Sequence, residues 1–122
     1  MIAPKEIYSI IESHIEWRTR LKNMVASGVI TMSVDEISCD SSCLFVQMLY
    51  GDRFGAEVKE TKMFKNIVAV HSDFHKVCGR VATLVVAKDF AGAQTLYDWD
   101  TNVLSLSLIR HLLDWQKNLG DK

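Results

Sequence analysis

The chain has 122 residues, of which 48% are hydrophobic and 24% charged, and its formal net charge is −1. This length suits one globular domain with its own hydrophobic core, and we expect residues 1–122 to form a single domain. A charge near zero without a basic run argues against binding to nucleic acid or to an anionic membrane surface. No apolar stretch approaches the roughly 20 residues that cross a bilayer, so we expect no membrane insertion.

The cysteine content and the opening residues indicate a compartment. No basic region followed by a long apolar one begins the chain, so the pattern of a secretory signal is missing. Three cysteines are an odd number, and without a secretory signal we expect reduced thiols rather than a disulfide framework. The predicted location is cytoplasmic.

The first predicted element is a helix over residues 6–26. Its inward positions recur in steps of three and four, which is the period of one helix face. They are Ile7, Ile10, His14, Trp17, Leu21 and Met24. Ser27-Gly28 then ends the helix, and residues 29–39, which lack a helical period, are predicted to form an ordered connector.

Two further helices are predicted in the middle of the chain. Asp40 or Ser41 is a typical N-cap residue, so residues 41–50 form a short helix that Gly51 ends. A long helix is expected over residues 56–88, because its apolar positions again alternate in steps of three and four. They are Phe64, Ile67, His71, Phe74, Cys78, Val81 and Val85.

The last predicted helix runs from Ala93 to about Gly120, after a turn over residues 89–92. Residues 103–109 alternate as a strand would, but no helix breaker interrupts this long segment, which favours a helix. Such a helix is apolar on more than one side and would contact more than one neighbour, including a second subunit. The predicted fold class is all-α: an antiparallel bundle of three long helices and one short helix that carries Cys43.

The histidines are the candidate metal ligands in this pattern. His14 and His71 take positions that belong to the core, where a single imidazole is more often bonded to a carbonyl or hydroxyl than to a metal. The pair His71 and His75 changes this balance, because residues four apart lie on the same helix face and can reach one ion. If the first and third helices align their inner faces, His14 lies opposite the pair.

A thiolate would complete a tetrahedral zinc site, and Cys43 is the predicted fourth ligand. Near the start of the short helix, after an Asp40 cap, the helix dipole and backbone N–H groups favour an anionic sulfur. Cys78 shares the stripe of His71, but we interpret it as a small core residue. Cys39 is a buried apolar residue or a redox partner, and His111 is structural.

These residues resemble the chemoreceptor zinc-binding (CZB) domain family over nearly the whole chain. The sequence His14-Ile15-Glu16-Trp17 is similar to the family's His-x-x-Trp, and His71-Ser72-Asp73-Phe74-His75 to its His-x-x-x-His. Residues 43–51, Cys-Leu-Phe-Val-Gln-Met-Leu-Tyr-Gly, are similar to its Cys-x-Phe/Leu-Gly-x-Trp-Leu-Tyr-Gly. Val46 and Met48 depart from the glycine and tryptophan of that motif, which affects packing around the cysteine but leaves the ligands unchanged.

The resemblance implies a helical bundle with a His3Cys zinc site. The implied ligands of the Zn²⁺ ion are His14, Cys43, His71 and His75. Domains of this family occur in bacterial chemoreceptors and diguanylate cyclases, often as homodimers, and pass metal or oxidant status to an attached output. We expect Trp17, Asp40, Phe74 and Cys78 to pack around the site.

We therefore predict a zinc-dependent regulatory or sensory domain in bacterial chemotaxis or cyclic-di-GMP signalling. Oxidation of the Cys43 thiolate would weaken its bond to zinc, so a redox signal at this residue is a related hypothesis. A structural zinc in an interaction module without a sensing role is the alternative. An enzyme is disfavoured, because four protein ligands leave no open position on the metal. A di-iron centre would need more histidines and bridging carboxylates.

Overall fold

The computed structural model describes residues 4–39, 47 and 56–120, and this part of the chain is helical without any strand. The predicted all-α class is confirmed. The helices are α1 (Pro4–Ser27), α2 (Val34–Ser38), α3 (Ala56–Lys59), α4 (Lys62–Val86), α5 (Phe90–Leu96) and α6 (Asn102–Gly120), with a π-helical segment (Tyr97–Thr101) between the last two. Helix α4 packs against α1, α2, α5 and α6, and α1 also packs against α6.

Helix α1 ends as its sequence predicts. Gly28 has a φ of +72°, in the left-handed region where glycine is favoured, and its N–H donates to the Met24 carbonyl at 2.9 Å. The Phe90 ring lies against this glycine, since a Cβ atom there would be 3.0 Å from the ring. The helix end is therefore fixed both by its backbone conformation and by the start of α5.

Helix α2 corrects the prediction of a connector over residues 29–39. The Ser33 hydroxyl oxygen accepts a hydrogen bond from the Glu36 N–H at 3.1 Å and donates to the Glu36 carboxylate at 3.1 Å. Ser33 is therefore the N-cap of α2, and a side-chain cap of this kind can start a helix too short to show a period. Apart from Gln47, which is helical, the predicted short helix with its Asp40 cap lies outside the described residues.

The long helix predicted over residues 56–88 is divided in the structure. Helix α3 ends at Lys59, and Thr61 then caps α4, accepting from the Phe64 N–H at 3.3 Å. The Thr61 hydroxyl also donates to the Val58 carbonyl at 2.7 Å, and so binds both helix ends. The Thr61 hydroxyl therefore joins the two helices at a break in the chain's helical course. The apolar period alone did not indicate this break.

The last helix begins earlier than predicted, at Phe90, because the Asp89 carboxylate accepts from the Gly92 N–H at 3.0 Å and caps it. Residues 103–109 are helical, so the helical interpretation of this passage is confirmed.

The π-helical segment was not predicted. The spacing of the buried residues from Ala93 to Trp115 nevertheless indicates it. They are Ala93, Tyr97, Thr101, Ser105, Leu108, Leu112 and Trp115. Three successive steps of four would move an α-helix face by about 120°, and one extra residue in a wide turn removes most of that rotation.

Two apolar clusters form the core, one towards each end of the long helices. The first contains Ile7, Ile10, Ile11, Phe64, Ile67, Leu108, Leu112 and Trp115. The second contains Trp17, Leu21, Met24, Val25, Ile37, Phe74, Cys78, Val81, Ala82, Val85, Ala93 and Tyr97. In α1 and α4 the residues between the two clusters include His14 and His71, so a buried polar layer separates the apolar ends.

Gly79 allows α2 to approach α4 closely. A Cβ atom at this position would collide with the Ser38 hydroxyl and lie 2.9 Å from its Cβ and 3.3 Å from its Cα. Glycine costs an α-helix about 1 kcal/mol relative to alanine, so its presence here is explained by the close contact. Gly79 therefore determines how near Ile37, on α2, comes to α4.

We expect Gly79→Ala to lower the free energy of unfolding by about 1–3 kcal/mol, because the overpacked Ser38 side chain must move. Chemical denaturation followed by circular dichroism measures this change. Adding Ser38→Gly should restore part of the loss, since the colliding atoms are removed. A gain of about 1 kcal/mol from Gly79→Ala, the value of helix propensity alone, would contradict the close contact.

Candidate metal centre

Three histidines meet in the polar layer between the apolar clusters. His14 comes from α1 and His71 and His75 from α4, and their exposed fractions are 1%, 1% and 0%. The rings of His71 and His75 lie edge to face with centroids 4.6 Å apart. The ring of His14 packs edge to face on Phe74 at 4.6 Å, on the same side of α4. The structure thus brings together the three histidines that the sequence singled out.

The imidazoles of His14 and His71 are neutral at physiological pH. Burial, together with the charges of Arg18 and His75, lowers the pKa of His14 from 6.5 to about 4. Burial also lowers the pKa of His71 to about 3, with contributions from His75 and His14. His75 influences both of these rings, and His14 influences His71, because the three histidines lie close together in the interior. Neutral imidazole is also the form that binds a metal ion.

The orientation of His75 is fixed by helix α2. Its Nδ1 lies 2.9 Å from the Ile37 carbonyl oxygen, and because a carbonyl can only accept, Nδ1–H is the donor. In the neutral ring the lone pair is then on Nε2. A backbone carbonyl that fixes one ring nitrogen while the other faces a metal is the common outer-shell arrangement of histidine ligands.

His14 belongs to a polar network with the last helix. Its Nε2 lies 2.8 Å from the Ser105 hydroxyl, which also accepts from the Arg18 guanidinium at 3.2 Å. Arg18 donates a second hydrogen bond to the Asn102 side-chain oxygen. With Nε2 held in this way, His14 can reach a metal through Nδ1, or through Nε2 after the ring turns away from Ser105.

The network reaches the surface at a cleft of about 410 Å³. Arg18 and Asn102 line it together with Lys22, Gln94 and Asp98. The guanidinium of Arg18 is therefore linked to His14 through the Ser105 hydroxyl, and it also lines the cleft. A change at His14 has a short hydrogen-bonded route to the outside of the molecule.

Trp17 lies one helical turn after His14 and packs against His75. Its indole is tilted against the His75 ring with centroids 5.0 Å apart, and the Arg20 guanidinium lies 5.6 Å from its centroid. The indole N–H is buried and finds no acceptor among the described residues. Burying such a donor unpaired costs on the order of 1–3 kcal/mol.

The remaining predicted site residues have different positions. Phe74 is buried between His14 and His75, and contacts both rings. Cys78 is completely buried in the second apolar cluster, whereas Cys39 is exposed. Cys43 and Asp40, with the residues that depart from the family motif, lie outside the described residues.

His111 is set apart from the centre. It is partly buried, and its Nδ1 donates to the Ser107 carbonyl at 2.7 Å within the same helix.

The donor set fits a transition metal, but the described residues do not yet form a finished site. Within residues 4–39, 47 and 56–120, no three His, Cys, Asp or Glu side chains already have the geometry of a metal site. The orientation of His14 towards Ser105 is one physical reason. Three neutral imidazoles supply nitrogen ligands suited to zinc, and an anionic fourth ligand would have to come from elsewhere.

Sequence reasoning missed three groups that support the histidines: Arg18, Ser105 and the Ile37 carbonyl. Ser105 had a detectable signal, because a serine at a buried position of an apolar helix needs a polar neighbour. Arg18 and the carbonyl had none, since their roles depend on how α1, α2 and α6 pack.

Comparison with known proteins does not add to this description. No protein-family model, curated protein or solved structure matches the chain. Among the described residues no helix is long and apolar enough to cross a membrane. The functional argument therefore depends on the residues and geometry of the centre.

The depressed pKa values of His14 and His71 predict acid sensitivity of the metal-free protein. The unfolded chain binds protons on these histidines below about pH 6.5, but the folded protein binds them only near pH 4 and pH 3. Stability should therefore rise with pH across this window and level off above it. Urea denaturation in a chelator at several pH values measures the effect.

Two variants test this pH dependence: His71→Gln and, as its control, His111→Gln. The first removes a buried titrating group, so the free energy of unfolding should depend less on pH between about 3 and 6.5. The second controls for loss of a histidine outside the centre. An unchanged pH dependence in His71→Gln would show that His71 does not resist protonation in the folded state.

Proposed function

We propose that this protein is a zinc-dependent regulatory domain, with a Zn²⁺ ion bound by His14, His71, His75 and Cys43. The observation that carries the proposal is the group of three buried imidazoles that meet in the core, two of which have strongly lowered pKa values. A core needs no imidazole for packing, and burying three together is costly unless each has a partner. A metal ion would serve as a common partner for all three.

The hydrogen bond that orients His75 supports a ligand role for this residue. The Ile37 carbonyl holds the Nδ1–H of His75, which leaves the Nε2 lone pair for a metal. Cys43, which the resemblance implies as a ligand, would supply the negative charge that three neutral imidazoles lack. A thiolate and three imidazoles suit a tetrahedral zinc site.

Regulation would follow because the ligands come from different parts of the chain. The histidines lie on α1 and α4, and Cys43 belongs to a separate segment, so zinc would hold together parts of an antiparallel bundle. Loss of zinc would release the cysteine segment and change the surface that an output partner contacts. Such a partner would be a chemoreceptor or a diguanylate cyclase, in the cytoplasm, and the domain itself would not be an enzyme.

Oxidation of Cys43 remains a related hypothesis for the physiological signal. A purely structural zinc site in an interaction module is the alternative function. The two differ in affinity, because a site that is never emptied at physiological zinc concentrations cannot report on zinc.

We further propose that, besides an output partner, the protein binds another copy of this chain through an exposed stripe on the last helix. The stripe consists of Trp99, Val103, Leu106, Arg110 and Leu113, which recur in steps of four, three, four and three. The exposed fractions of its apolar members are 69%, 61%, 56% and 43%. Apolar residues at this period form the seam between paired helices.

The charges near the stripe favour an antiparallel pairing. Asp98 and Asp100 are at its start, whereas Arg110 and Lys117 outnumber Asp114 near its end. Antiparallel copies place the acidic end of one stripe beside the basic end of the other. A parallel pairing would instead bring two Arg110 side chains together in the seam.

Zinc should bind with one ion per chain and raise the unfolding midpoint. A concentration 1,000 times the dissociation constant contributes about 4 kcal/mol, or on the order of 10 °C in the midpoint. Removing any one of His14, His71, His75 or Cys43 by alanine substitution should weaken binding by more than the roughly 10–100-fold effect of an outer-shell group. Competition with a chromogenic chelator measures each affinity.

The control for this experiment is His111→Ala, which removes a histidine bonded within its own helix. Its zinc affinity should equal that of the unmodified protein. If the unmodified protein bound no zinc, or if the His14 and His111 variants lost affinity equally, the proposed site would be wrong.

Leu106→Glu should convert the proposed dimer to a monomer. Burying one leucine contributes about 1.5–3 kcal/mol, so losing it from both copies weakens association by more than about 100-fold. Sedimentation velocity measures the association, and Lys76→Glu, at an exposed position on α4, is the charge control. A monomeric unmodified protein at all concentrations, or equal effects of both variants, would contradict pairing through the stripe.

A further inference from the structure

The cleft beside Arg18 is large enough to hold a small molecule. Its volume is about 410 Å³, and ligand pockets in proteins have volumes of about 300–1,000 Å³. Two cationic side chains of α1, Arg18 and Lys22, line it, and the carboxylate among its described lining residues is Asp98. The described lining of the cleft is therefore positively charged, in a chain whose overall charge is −1.

Neither cation is neutralised within the described part of the chain. No carboxylate there forms an ion pair with Arg18 or Lys22. Because they are four residues apart on one helix, the two positive side chains are neighbours and repel each other. The Asp98 carboxylate instead accepts a hydrogen bond from the Gln94 side-chain amide at 2.9 Å. An anion in the cleft would supply the missing opposite charge.

The guanidinium of Arg18 is held in place and still has unused donors. The side chain is half-buried, and two of its N–H groups donate to the Ser105 hydroxyl and to the Asn102 side-chain oxygen. A guanidinium has five N–H donors, and the others have no acceptor among the described residues. Such a preorganised fork suits a carboxylate, because it can donate to both of its oxygens at once.

The rest of the lining favours an organic anion with a single charge. Ile15 and Tyr97 add apolar surface beside the cationic groups, so part of the cleft suits a carbon skeleton. Two cations and the Asp98 carboxylate leave one positive charge in the described lining, which one negative charge on the ligand balances. A ligand with more negative charges would be repelled by Asp98.

We infer that the cleft binds a small organic monoanion, whose carboxylate contacts Arg18 and Lys22 and whose apolar part packs on Ile15. This site lies outside the histidine layer and does not depend on the proposed zinc ion. A neutral molecule of the same shape lacks the charge that the two cations require, and it should not bind.

An anion in the cleft should also act on the metal centre. Arg18 is linked to His14 through the Ser105 hydroxyl, so its positive charge lies near a proposed zinc ligand. An anion beside Arg18 offsets this charge and thereby favours a bound Zn²⁺ ion. By reciprocity, zinc should strengthen anion binding by the same factor. This coupling, unlike the site itself, rests on the proposed function.

The first experiment titrates protein freed of zinc by dialysis with benzoate and follows the binding by NMR. Benzoate carries one carboxylate on an apolar ring, and benzamide has nearly the same shape without the charge. Benzoate should shift the signals of the Arg18 Nε–H and the Asn102 side-chain amide to saturation, and benzamide should not. Inorganic phosphate should bind more weakly, since it has no carbon skeleton. Absence of saturable benzoate binding, equal binding of benzamide or tighter binding of phosphate would overturn the inference.

The second experiment compares Arg18→Gln with Arg20→Gln, which alters an arginine of the same helix that lies over the Trp17 ring and not in the cleft. Arg18→Gln should weaken benzoate binding at least about tenfold, as loss of a charged hydrogen bond does, and Arg20→Gln should leave it unchanged. Asp98→Asn should strengthen binding about two- to fivefold, because it removes a like charge. Equal losses in both arginine variants, or weaker binding in Asp98→Asn, would contradict the site.

A third variant covers a failure of Arg18→Gln to fold. Lys22 is exposed, so Lys22→Gln should fold normally and weaken benzoate binding about two- to fivefold. Unchanged binding in Lys22→Gln would contradict the contact with this residue.

The coupling is measured by repeating the titration with zinc-saturated protein, where benzoate should bind about fivefold or more tightly. If benzoate binds equally with and without zinc, the coupling is wrong and the cleft remains an anion site. If the protein binds no zinc, the proposed function fails, while the titration of the zinc-free protein still decides on the cleft.

Discussion

The burial of three imidazoles side by side is the constraint on which the rest of this structure depends. Each ring must remain neutral, because a charged imidazole at this depth would lose its hydration and face two similar neighbours. Each ring nitrogen also needs a partner. His75 is supported by the backbone of α2 and His14 by Ser105 on α6. The histidine layer therefore connects helices that the apolar clusters alone would leave less specifically placed.

The polar layer also explains features that look unrelated in the sequence. Gly79 permits α2 to approach α4, and this approach places the Ile37 carbonyl at His75. Ser105 must face inwards on an otherwise apolar helix, because it bonds both His14 and Arg18. These residues serve the orientation of the histidines more than the packing of the core.

The sequence predicted much of this arrangement, but not all of it. The steps of three and four placed His14 and His71 on the inner faces, since burial leaves a periodic trace in a long helix. The capping groups of Ser33 and Thr61 were missed, because one hydroxyl can start or end a short helix without altering that period. The support of His75 by a carbonyl was unpredictable, as every residue has one. The role of Cys43 remains a prediction from resemblance.

The π-helical segment has a consequence for changes in chain length. Each residue of an α-helix contributes about 100° of rotation, so deleting one from α6 would turn everything beyond it by that angle. A deletion within residues 97–101 differs, because the wide turn already accommodates one residue more than an α-helix needs. The shortened segment would become regular, while Ser105 still faced His14 and Leu106 still faced outwards. This is the one place in the described last helix where evolution could remove a residue and keep both faces in register.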